Sequence, residues 1–73
     1  MKAYIIREAG EFFIYTDVKD RDCVGEVFVT EAPEPTKEEE DEMTSAFTPP
    51  VKGEKVYVNG FGWGTIEEIN YKK

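Results

Sequence analysis

The chain has 73 residues, one cysteine, no histidine and a formal net charge of −7, which bounds it to one small domain burying only about 60% of the surface its unfolded chain exposes. A lone cysteine excludes an internal disulfide, and without histidine a Cys/His zinc site cannot be assembled, so a reducing cytoplasm fits best and neither metal nor cofactor is expected. The charge is concentrated: Glu31, Glu34, Glu38, Glu39, Glu40, Asp41 and Glu42 stand against Lys37 alone, a local net of −6 that leaves −1 for all other residues.

An acidic segment on a near-neutral body repels a phosphate backbone, so no direct nucleic-acid binding is expected and a basic protein surface is the natural partner. The amino terminus, MKAYIIREAGEFFIY, carries charges at Lys2, Arg7, Glu8 and Glu11 and lacks an apolar run long enough for a signal peptide or a membrane span. No membrane partner is therefore expected.

Residues 2–8, KAYIIRE, read as a strand with Ala3, Ile5 and Arg7 on one side and Tyr4, Ile6 and Glu8 on the other. Ala9-Gly10 follows as a turn, and 11–16, EFFIYT, forms a second strand, with Phe12 and Ile14 on one face and Phe13 and Tyr15 on the other. The polar DVKDRD run at 17–22 suits aspartate side-chain turns. A third strand over 23–30, CVGEVFVT, puts Val27 and Val29 on one face and Phe28 on the other, with Gly25 suited to a bulge or a sharp bend.

Residues 32–52 break the composition. Pro33, Pro35, Pro49 and Pro50 bracket a self-repelling EEEDE run without a strand pattern. Thr36 three residues before Glu39 resembles a capping box, and Met43, Ala46 and Phe47 have the spacing of one helical face. A helix this short is marginal without tertiary packing. The segment reads as a mobile acidic excursion, about 32–51, with 36–47 either a short helix or disordered, and anchored only if Phe47 docks.

Residues 52–70, KGEKVYVNGFGWGTIEEIN, contain the most legible element. Val56 and Val58 alternate with Lys55, Tyr57 and Asn59; Asn59-Gly60, Gly62 and Gly64 reverse the chain; and Thr65, Ile66 and Ile69 form a second short apolar run. Phe61 and Trp63 are held at the tip, either as lids on a small core or as contacts for a partner. Trp63 is expected to be partly buried and Phe61 the more exposed contact, with Tyr57 extending the patch. Five short strands with glycines at the corners imply a mainly β fold, a small antiparallel, partly open barrel of the SH3-like or tudor-like kind, in one domain spanning 1–73.

Chemistry finds little footing. Cys23, at the start of an apolar strand, reads as a small core residue, and the acid run lacks the spaced oxygens of a calcium loop. GFGWG matches neither GxxxxGKS/T nor GxGxxG. The chain is therefore expected not to be an enzyme.

At the glycine-rich hairpin the sequence resembles the RNA-polymerase-interacting module of the CarD type, in which a GDKV-like strand leads through a glycine turn into a GxIxxI-like strand. The matching positions are Gly53, Glu54, Lys55, Val56, Tyr57, Gly60, Gly62, Gly64, Ile66 and Ile69. The complete chain, by its length, its MKAYIIRE start and its acidic middle, resembles the small transcription regulators of Xanthomonas phages. That resemblance implies a monomer in the host bacterial cytoplasm that binds bacterial RNA polymerase, displaces sigma factor and supports antitermination. Read from the aromatic hairpin and the acid run themselves, the partner-binding residues are expected to be Tyr57, Phe61 and Trp63 with Glu38, Glu39, Glu40, Asp41 and Glu42. Two rivals remain open: an acidic nucleic-acid mimic that inhibits a defence nuclease, and an SH3-like peptide-binding module using Tyr57 and Trp63.

Overall fold

The computed structural model describes residues 1–19, 21–42 and 47–72, the side chains at 41 and 42 excepted. Five strands, β1 (Lys2–Glu8), β2 (Glu11–Tyr15), β3 (Gly25–Glu31), β4 (Lys55–Asn59) and β5 (Gly62–Tyr71), close into a barrel in the order β1-β2-β4-β5-β3. One short helix, α1 (Lys37–Glu42), lies between β3 and β4. The mainly β, five-stranded barrel is thus as the sequence implies. Two finer features differ: the barrel is closed rather than partly open, and it is mixed rather than wholly antiparallel.

The second difference follows from the first. Antiparallel neighbours must alternate in direction, and a ring with an odd number of strands cannot alternate all the way round. Closing five strands therefore requires one parallel seam, which falls between β2 and β4, with Ile14 opposite Val58 and Tyr15 opposite Asn59. The other four junctions are antiparallel.

The same directions explain the two long connections. β2 and β3 flank β1 and run the same way, so the chain must travel back along the barrel between them; β3 and β4 likewise flank β5. From the first return, 16–24, Arg21 reaches over the outer face of β1 and β2. Its guanidinium sits 4.1 Å from the centre of the Tyr15 ring and 3.8 Å from the Glu8 carboxylate. On that outer face Ile6 is only 3% exposed, buried outside the central core cluster. The expected aspartate turn is made by Asp17, whose Oδ1 accepts a hydrogen bond from Lys19 N at 2.9 Å. The second return contains the acidic segment, which is therefore the crossover that places β4.

Inside the barrel, Ala3, Ile5, Ile14, Val27, Val29, Val58 and Ile66 form the core, with Phe12, Val24, Val56 and Ile69 packed at its margin. Each β-strand contributes alternate residues, as its pattern predicts. Ile66 and Ile69 are three residues apart and could not share a face of a regular strand. A β-bulge resolves this: Val29 pairs with Ile66 and Phe28 with Glu68, leaving Glu67 as the extra residue that re-phases β5. The bulge is thus at Glu67 and not at Gly25. A Cβ at Gly25 would lie 2.9 Å from Asn70 O and 3.1 Å from the Tyr71 Cα, so Gly25 is needed for the close approach of β3 to β5.

Among the described residues, no helix is long and apolar enough to cross a membrane.

Candidate protein-contact face

Tyr57 and Trp63 are opposite each other in the β4–β5 ladder. Alternation turns both outward, since their neighbours Val58 and Ile66 fill the interior. Their rings meet edge to face, centroids 5.6 Å apart at 75°, an arrangement favoured by the aromatic quadrupole and worth about 0.5–1.5 kcal/mol beyond area burial. Tyr57 remains 53% exposed, whereas Trp63 is half-buried. Ala32 N donates to Trp63 O at 3.2 Å, so the acidic crossover leaves β3 alongside this tryptophan.

The crossover then forms α1. Thr36 caps it, its Oγ1 accepting from Glu39 N at 3.3 Å and its carbonyl from Glu40 N at 2.9 Å. Glu38, Glu39 and Glu40 occupy the first turn, where negative charge complements the helix dipole. The Glu39 carboxylate reaches Lys55 Nζ at 2.6 Å. Lys55 lies two residues before Tyr57, on the same outward face of β4. This ion pair brings the first turn of α1 to Lys55, two residues from Tyr57 on the outer face of β4, and Glu38 and Glu40 are exposed in the same turn.

Asp41 and Glu42 close α1, but their side chains lie outside the described residues, as do Met43 and Ala46. Phe47 comes to the Ala9-Gly10 turn, its Cδ1 3.9 Å from where a Gly10 Cβ would be, and remains 64% exposed.

Phe61 is placed differently. The turn Val58-Asn59-Gly60-Phe61 closes through Phe61 N donating to Val58 O at 3.0 Å, with Gly60 at φ +94°. A side chain at Gly60 would be strained and would press on Thr16, whose Oγ1 lies 2.7 Å from where the Cβ would be. The Phe61 ring folds toward the barrel end, reaching within 3.5 Å of where a Gly64 Cβ would be, a point that Val29 also approaches. At 39% exposure Phe61 is the more open of the two tip aromatics and also a partial lid. The aromatic contact surface therefore centres on Tyr57 and Trp63, with Phe61 capping the adjoining barrel mouth.

Sequence reasoning did not single out two residues that organise this region. Lys55 is the cation on β4, and its position two residues from Tyr57 was the available signal. Asn59 reads as a turn residue, yet its Nδ2 donates to Ile14 O at 3.0 Å and its carbonyl accepts from Thr16 N at 3.1 Å, bridging the parallel seam. Cys23 precedes β3 instead of starting it and is half-buried. The neighbouring Lys72 ammonium has a raised pKa, chiefly through its hydrogen bond with the Cys23 side chain.

Among the described residues, no three His, Cys, Asp or Glu side chains are grouped to hold a metal ion. No protein-family model, curated protein or solved structure matches this chain.

Proposed function

We propose that this chain binds bacterial RNA polymerase and regulates transcription, inhibiting initiation by interfering with sigma factor and aiding antitermination. The observation that carries the reading is the joining of an exposed Tyr57–Trp63 pair to an acidic helix through Lys55 and Glu39. An aromatic anchor supplies contact energy, while the carboxylates of Glu38 and Glu40, which make no salt bridge among the described residues, steer a basic protein surface toward it. The polymerase as partner comes from the resemblance of residues 52–70 to the CarD-type module and of the whole chain to small phage regulators.

The test is to mix the purified protein with core polymerase and with holoenzyme, then measure complex formation and sigma retention. Binding to core, loss of sigma from promoter complexes and at least a tenfold weakening by Tyr57→Ala are expected. Absence of binding to either polymerase form rejects the reading. Competition with duplex DNA for a purified defence nuclease would instead identify a nucleic-acid mimic.

A further inference from the structure

Asn59 and Gly60 are each required by the fold for a separate reason. Asn59 bridges the parallel seam, and Gly60, at φ +94°, has no room for a side chain, since a Cβ there would lie 2.7 Å from Thr16 Oγ1. Together they make an Asn-Gly pair. In such a pair the asparagine carboxamide is open to attack by the following backbone nitrogen, because glycine puts no side chain in the way and lets the local backbone turn freely. A chemically labile dipeptide thus sits at the seam that closes the barrel.

The seam's own hydrogen bonds hold both reacting groups. The attacking atom is Gly60 N, whose peptide group includes the Asn59 carbonyl, and that carbonyl accepts from Thr16 N at 3.1 Å. In a trans peptide the N–H points opposite to the C=O, so Gly60 N–H is turned away from β2. The attacked atom is Asn59 Cγ, whose Nδ2 donates to Ile14 O at 3.0 Å and so draws the carboxamide toward β2. Phe61 N, donating to Val58 O at 3.0 Å, fixes the turn across the pair. Ring closure needs the carboxamide and the peptide to rotate toward each other, which neither does while Ile14 and Thr16 hold them. Gly60 itself is exposed, so base and water reach it as soon as the seam opens.

We propose that Asn59-Gly60 is a deamidation site gated by the parallel seam, inert while β2 and β4 are joined and reactive when they part. In the open state Gly60 N loses its proton to base and bonds to Asn59 Cγ; the Cγ–Nδ2 bond breaks, and Nδ2 leaves as ammonia with a proton from water. Water then adds to one or the other carbonyl of the resulting succinimide and opens it to aspartate or to isoaspartate. Neither product restores the seam. Aspartate has no donor for Ile14 O, and isoaspartate routes the backbone through its side-chain carbon, lengthening β4 where it registers with Tyr15. Each opening that reacts is therefore made permanent, and the chemical lifetime of the folded chain follows the frequency of seam opening. The site is independent of which partner the chain binds.

The experiment incubates the full-length protein in mildly alkaline buffer and follows conversion of each side-chain amide to an acid by peptide mapping and mass spectrometry. The sequence has no glutamine and one other asparagine, the exposed Asn70, whose bulky neighbour Tyr71 hinders ring closure and makes it an internal reference. Asn59 is expected to deamidate at least tenfold faster in guanidinium-unfolded chain than in folded chain. Across mild guanidinium its rate should rise in step with hydrogen exchange of the Thr16 amide, which reports the bond to Asn59 O. Val58→Ala, which removes the side chain registered opposite Ile14, should speed deamidation of the folded chain at least threefold. If that variant does not fold, the guanidinium series on the unaltered chain makes the same comparison. Deamidated protein, refolded, should melt below the untreated chain. Equal rates in folded and unfolded chain, a rate that does not follow Thr16 exchange, faster reaction at Asn70 than at Asn59 in the unfolded chain, or an unchanged Tm after deamidation would overturn the proposal.

Discussion

Replacing Asn59 by Asp tests whether the parallel seam closes the barrel. The seam has two registered residue pairs, and Asn59 contributes to it twice: through its carbonyl, which accepts from Thr16 N, and through Nδ2, which donates to Ile14 O at 3.0 Å. Asn59→Asp keeps the shape and the backbone bond but exchanges the amide donor for a charged acceptor facing a carbonyl. Loss of the hydrogen bond costs about 0.5–1.5 kcal/mol, and a part-buried acceptor left short of its donor adds about 1 kcal/mol or more. The expected total is about 2 kcal/mol, a fall in Tm of about 8–16 °C for a domain of this size. Thermal and urea unfolding followed by circular dichroism measure it. A pH series adds a signature that a merely structural disturbance lacks. The introduced carboxyl is expected to have a folded-state pKa above its unfolded value, because its charged form faces a carbonyl and its protonated form can donate to Ile14 O. Its deficit relative to wild type should therefore be full above the folded pKa and shrink as pH falls through about 4. A variant within about 0.5 kcal/mol of wild type at pH 7 would show that the seam does not depend on Asn59.

At the β1–β2 turn, Ala9 and Gly10 both have positive φ, 50° and 82°, the signs of a type I′ hairpin turn. Ala9→Asn should relieve the alanine strain and stabilise the chain by about 0.5–1 kcal/mol, read as a higher Tm in the same melts. Trp63→Ala and Phe61→Ala should both leave a folded protein, costing about 2 and about 1 kcal/mol respectively, because each ring is only partly removed from water; a larger loss for Phe61→Ala would make the mouth lid, not the Tyr57–Trp63 contact, the main support of the tip. Tyr71 has its phenol pKa raised by burial and, secondarily, by Glu54. Its stabilisation is present below the unfolded value near 10 and is lost as pH rises through the higher folded value. Tyr71→Phe should cost about 0.5–1.5 kcal/mol at pH 7 through loss of the bond to Pro50 O and flatten the alkaline loss of stability, which a pH series of melts would read.

Alternation in the sequence was enough to place the five strands and most of the core, because a strand's two-residue period is local and the apolar partners of Ile5, Ile14, Val27, Val29 and Val58 all lie on one face. Turn chemistry at Ala9-Gly10, Asp17 and Gly60, and the Thr36 cap, was equally local and equally legible. Strand order was not, because it depends on which distant edges meet. Only closure of five strands makes one seam parallel, and only that seam gives Asn59 its bridging role. The acidic segment shows the same division. Its charge and cap are written in residues 36–42, but its course from Trp63 to Lys55 follows from β3 and β4 running the same way on either side of β5. The meeting of Glu39 with Lys55, next to Tyr57 and Trp63, was decided by tertiary structure, since it joins residues far apart in the chain whose encounter no local period encodes.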